Sequence, residues 1–216
     1  MSDVPPIPAA LAHRPTVGGL VQPWLNVALA DGGVDFRAQH QSRAAACWTR
    51  GLCQVCGNPL RPPAVLLGGP KQLRRLMFDE PPLHPECCLY TSQACPMVSG
   101  RTEYYADRPV LSSGHRGKTC ATPGCDCGGW VPTPGVAPAQ PAADPAHEWF
   151  AVWVRGFSPA AMHDSPQHIT HGVVRPADVI RVVLVSRPGE GRVWHRLDLA
   201  AALADYDAPR PAAGPP

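Results

Sequence analysis

Cys53 and Cys56 stand two residues apart, and far along the chain His84 and Cys87 form a second pair with the same gap. A Cys-x-x-Cys turn presents both sulfurs to one ion, and Gly57 permits the positive φ that such a turn needs. Residues 84–94 read as a helix, with Pro85 suited to its first turn and Pro96 just past its end. His84 and Cys87 then share one helical face at i, i+3. Three thiolates and one imidazole complete a tetrahedron and leave no position for water, the pattern of a structural zinc rather than a catalytic one. Unliganded thiols or a redox dithiol are poorer readings. A redox pair leads straight into a helix, whereas Gly57-Asn58-Pro59 follows here.

Cys120, Cys125 and Cys127 form a second cluster among Gly124, Gly128 and Gly129. A second metal there would take these three thiols, with His115, Cys88 or Cys95 as the fourth ligand. The alternative is a flexible loop with free thiols. His163, His168 and His171 with Asp164 make a third grouping, able in principle to hold a metal with open positions. Its Ser, Pro and Gly neighbours read as a surface loop. Cys47 reads as a small buried apolar residue.

The chain has nine cysteines. The N-terminus lacks a basic start and an unbroken apolar stretch, so no signal peptide is expected, and no run approaches the roughly 18–20 apolar residues of a membrane span. A cytoplasmic protein, with cysteines serving as ligands rather than disulfides, is the expectation. The net charge of +2 argues neither for nor against nucleic acid. A local basic patch is nevertheless available. Lys71, Arg74 and Arg75 would share one face of a helix, with Arg61 near in sequence, and could contact phosphate. Asp79 and Glu80 follow closely and would blunt its field. The function expected is that of a non-catalytic zinc-binding module acting through a protein or nucleic-acid partner. The alternative is a metal-dependent nuclease or another metalloenzyme of treble-clef type. Against an enzyme, His84 is committed as a ligand, and no G-x-S-x-G, phosphate loop or H-E-x-x-H occurs. No catalytic residue, small-molecule cofactor or membrane partner is indicated.

These residues must be positioned by a chain that is 44% apolar but only 6% aromatic, with 28 prolines and 20 glycines. That Pro and Gly content falls just short of the roughly 25–30% typical of disordered chains, so ordered pieces joined by irregular segments are expected. Residues 1–20 read as an irregular N-terminal segment. Residues 21–97 read as a zinc-binding region with a hairpin and helices. The hairpin spans 24–37 around Asp31-Gly32-Gly33, a helix covers 39–49, a strand 64–67 and one or two helical turns 71–78. Residues 98–146 combine a Cys/Gly-rich loop with a Pro/Ala linker at 131–146. Residues 147–207 hold strands at 150–154, 179–185 and 193–195 and a helix at 197–205. Residues 208–216 read as a disordered tail. No internal repeat is visible. The C-terminal strands are expected to join the N-terminal hairpin in one sheet, since neither part alone has the three strands usually needed for stability.

The strings GLCQVCGNPL, PPLHPECCLY and ACPM resemble a group of small zinc-knuckle proteins from actinobacteria and their phages. The shared pattern is C-x-x-C-G-x-P-L, P-x-H-x-x-C-x-x-Y and A-C-P, covering about residues 22–97 and, loosely, the strand near 149–157. The resemblance points to Cys53, Cys56, His84, Cys87 and also Cys95, and implies no activity. The ligand arrangement is similar to the treble-clef class of knuckle, hairpin and helix. The fold class expected is therefore α+β: a small zinc-stabilised, treble-clef-like region, a small mostly antiparallel sheet and long irregular segments.

Overall fold

Along the chain come strands β1 (Thr16–Val17), β2 (Leu20–Val21), β3 (Asn26–Ala28) and β4 (Val34–His40), then helix α1 (Gln41–Arg50). Strand β5 (Ala64–Gly68), helix α2 (Pro70–Arg75), strand β6 (Met77–Phe78) and helix α3 (Pro85–Ala94) follow. The remainder holds β7 (Trp130–Val131), β8 (Trp149–Val154), β9 (Ser158–Ala161), β10 (Ile169–Val173), β11 (Val179–Arg187), β12 (Gly191–Leu197) and helix α4 (Leu199–Asp205). The computed structural model describes residues 4–30, 32–104, 120–131, 145–161 and 169–205. Most of the Pro/Ala linker and the whole of the tail at 208–216 lie outside the described residues. The fold class is α+β, with antiparallel sheets.

The central sheet has four antiparallel strands in the order β12-β11-β8-β5. Side chains alternate across a strand, so each strand supplies two cores. Val65, Leu67, Ala151, Trp153, Val183 and Val185 form one face and pack with Cys53, Leu83, Cys87, Cys88 and Tyr90. Ala64, Leu66, Phe150, Val152, Val154, Val182 and Leu184 form the other and pack with Trp48, Leu73, Leu76 and Ala202. The sheet thus lies between α3 with its cysteine knuckle on one side and α1, α2 and α4 on the other. Burial on both faces explains why residues 182–185 read as a continuous apolar run.

Two three-stranded sheets flank this layer, β6-β10-β9 and β3-β4-β7. The C-terminal strands therefore do not join the N-terminal hairpin as expected. They pair with β5, Leu66 facing Val152 and Leu67 facing Ala151. The hairpin takes β7 instead, with Gln39 opposite Val131. Helix α2 also stops earlier than expected. Leu76 adopts φ 47 and turns the chain so that Leu73, Leu76 and Phe78 all reach one core, which a continuous helix would not achieve. Nor are residues 4–20 all irregular. Leu11 is fully buried, β1 pairs with β2, and the Tyr90 hydroxyl accepts a hydrogen bond from the Val21 amide at 2.9 Å.

Candidate metal centre

The turn at Cys53 is closed by its own backbone. The Gly57 amide donates to the Cys53 carbonyl at 2.8 Å, and the Cys53 amide donates to the Asn58 carbonyl at 2.9 Å. Gly57 has φ +78, and a Cβ there would come within 2.9 Å of the Trp24 ring. Glycine is thus needed both for the turn and for the close approach of the indole. Residues 24–25 support the turn from outside, the Trp24 and Leu25 amides donating to the Val55 and Gln54 carbonyls at 2.9 Å. From the other side the Gln54 side chain donates to the Pro81 carbonyl at 2.6 Å, tying the turn to the approach of α3.

His84 is the N-cap of α3 and Pro85 its first residue, so His84 and Cys87 sit one turn apart, as their spacing required. The ligand atoms of Cys53, Cys56, His84 and Cys87 all lie within 4.8 Å of one another. Zn–S bonds of about 2.3 Å in a tetrahedron place sulfurs about 3.8 Å apart, so the set fits such an ion. His84 is oriented for the task. Its Nε2 lies 3.0 Å from the Pro59 carbonyl and its Nδ1 lies 3.4 Å from the Cys56 sulfur, so the ring is held with Nδ1 toward the cysteines. The Asn58 amide donates to the same sulfur at 3.4 Å. Cys53 and Cys87 are fully buried. Burial would raise the Cys53 thiol, but hydrogen bonds from Cys56, Cys87 and His84 outweigh it and hold Cys53 far below its usual range. Bonding to Cys53 is also the leading cause that raises Cys87 and His84.

The chain between the two pairs runs through β5, α2 and β6, with β5 and β6 in two different sheets. Between the pairs Val65 and Leu83 form an antiparallel bridge just ahead of α3.

Cys120, Cys125 and Cys127 also converge, with sulfurs within 4.8 Å of one another. Backbone hydrogen bonding at Thr122, then bonds from Cys127 and Cys125, draw the Cys120 thiol down to about 7. Burial, followed by the bonds to Cys125 and Cys120, pushes Cys127 up to about 11. The loop is fastened to the hairpin and α1. The Asp126 amide donates to the Ala28 carbonyl at 2.9 Å, and its carboxylate pairs with Arg43 at 2.5 Å. The His40 ring packs directly on Gly129, where no side chain would fit. Cys88 and Cys95 are not in this group. They belong to the core between α3 and the central sheet, which removes both as its fourth ligand. Burial pushes Cys88 up to about 12 and raises Cys95, marking both as neutral core thiols. His115 lies outside the described residues.

Cys47 is fully buried and its thiol is raised by burial, as its reading as an apolar residue requires. Of the third grouping, His163, Asp164 and His168 lie outside the described residues, and His171 is a buried residue of β10. Lys71, Arg74 and Arg75 are exposed on α2, and Arg61 is exposed ahead of β5. Among the described residues no helix is long and apolar enough to cross a membrane. The supports that sequence reasoning missed are Trp24, Gln54 and Pro59. The Trp24 and Pro59 contacts cross between segments, and only the glycine at 57 hinted that something must approach closely. Compared with known proteins, the chain matches no family model, no curated protein and no solved structure.

Proposed function

We propose that this protein is a non-catalytic binding module ordered by a structural zinc at Cys53, Cys56, His84 and Cys87. One observation carries the reading: four ligand atoms of the right kinds converge from the knuckle and the start of α3, with Cys53 and Cys87 fully buried. A four-coordinate ion with four protein ligands has no place left for water or substrate. Such an ion contributes folding free energy rather than chemistry. The thiols of Cys120, Cys125 and Cys127 support a second zinc that fastens their loop to the hairpin. Native mass spectrometry of the purified chain tests both. The expected count is two ions, with Cys56→Ser removing the first. A chain that carries no zinc, or one in which Cys56→Ser leaves the zinc count and the melting temperature intact, refutes the assignment.

A further inference from the structure

On the sheet face that carries the metal centre, β8, β11 and β12 hold a row of guanidinium groups and indoles. The Arg181 Cζ lies 3.9 Å from the centre of the Trp153 ring, and the Arg192 Cζ lies 4.7 Å from the Trp194 ring. The two indoles meet edge to face at 6.0 Å. Register adds Arg196 to this face, since it stands opposite Val183. All three arginines are exposed, while Trp153 is buried and Trp194 half-buried. Arg43, Arg175 and Arg187 each hold a carboxylate, but among the described residues Arg181, Arg192 and Arg196 have no acidic partner. An open hollow of about 400 Å³ at this end of β11 and β12 is lined by Arg181, Arg196 and the acidic Asp198, and its apolar residues Val179, Leu197 and Leu199 belong to the core on the opposite sheet face.

We propose that this row is a binding surface for single-stranded nucleic acid, an inference that rests on reading the chain as a binding module. A guanidinium stacked on an indole keeps its full charge and its N–H edge, which suits phosphate oxygens. Its outer plane is open to stack on a base. The ring beneath holds the side chain in place, so less rotamer freedom is lost when the strand arrives. Arginines that meet phosphates and base planes rather than base edges make binding sequence-tolerant. The exposed cations of α2 are a separate group, because α2 packs through Leu73 and Leu76 on the opposite sheet face.

The test uses the full zinc-loaded chain and a fluorescein-labelled oligo-deoxythymidine, followed by anisotropy at about 50 and 200 mM salt. Combined Arg181→Ala, Arg192→Ala and Arg196→Ala should weaken binding at least about tenfold and flatten the log–log salt slope by about 2, the value for three phosphate contacts to a single strand. Arg74→Ala with Arg75→Ala should change neither. Arg181→Lys with Arg192→Lys keeps the charge and removes the planes, so the slope should persist while affinity falls. Zinc content and melting temperature, read on the same samples, establish that each variant is folded. Absence of wild-type binding at the lower salt overturns the inference and leaves the zinc reading standing. Loss of affinity in the α2 variant alone, full affinity in the lysine variant, or equal competition by poly-glutamate overturns it as well.

Discussion

Removing the metal should unfold the protein in one step, not merely loosen the knuckle. The four ligands join the turn at 53–60 to α3, and together these elements cover Val65, Leu67, Ala151, Trp153, Val183 and Val185. If that layer detached, the six sheet residues would return to water. Burial of a large apolar side chain is worth about 1.5–3 kcal/mol, so the exposed face would cost on the order of 10 kcal/mol. A domain has only about 5–15 kcal/mol of stability in total. A sheet left with α1, α2 and α4 on its other face would therefore not survive alone. Hydrogen exchange read by mass spectrometry, with and without a strong chelator, checks this. Peptides covering β8 and β11 should lose protection together with α3, and Cys56→Ser should reproduce the pattern without chelator. If β8 and β11 stay protected while α3 exchanges freely, the argument that the metal layer and the sheet form one cooperative unit is refuted.

Further outcomes are open to test. Gly57→Ala should destabilise by about 2 kcal/mol in chemical denaturation, since an L-residue in the left-handed region costs about 1–2 kcal/mol and its Cβ would also press on Trp24. Cys120→Ser should lower the zinc count by one and leave the first centre occupied, as counted by native mass spectrometry. Glu80 contributes a pH dependence. Although part of its side chain is accessible, burial and then the nearby Asp79 push its carboxyl up to about 7. A folded-state pKa above the unfolded one means the native state holds the proton more tightly, so stability falls as pH rises from about 4.5 to 7. Glu80→Gln should therefore raise the melting temperature at pH 8 relative to wild type by more than it does at pH 5.

The four candidate metal ligands were legible because their geometry is local. A turn and one helical turn bring each pair together, and spacing alone reveals both. Strands β8 and β11 were legible because four or more consecutive buried apolar residues make a run. What the apolar run did not tell is its neighbour: β5 pairs with β8 across a long separation, and no local pattern encodes that. Strand β9 was invisible, since Ser158-Pro159-Ala160-Ala161 has little β-propensity, and β10 was read as loop from its Ser, Pro and Gly neighbours despite the β-branched Ile169, Thr170 and Val173. Gly172 is needed there because Trp48 packs directly against it. At Leu76, burial with Leu73 and Phe78 overrode a run of good helix formers. The Pro-rich N-terminus read as loose because composition does not register a single anchor such as Leu11.

The pairing of β5 with β8 also sets an order in time. Ala-Val-Leu-Leu-Gly of β5 is buried along its whole length, yet the strand it pairs with is made about 80 residues later. At roughly 5–20 residues per second of synthesis, that segment waits roughly 4–16 s for its partner. The knuckle before it and α3 after it are complete well inside that interval. A metal captured at this stage would draw Leu83 and α3 back over Val65, whose backbone already exchanges both hydrogen bonds with Leu83 in the finished fold. The ion would then act as a temporary cover for an aggregation-prone strand on the nascent chain, before the sheet it helps to stabilise exists.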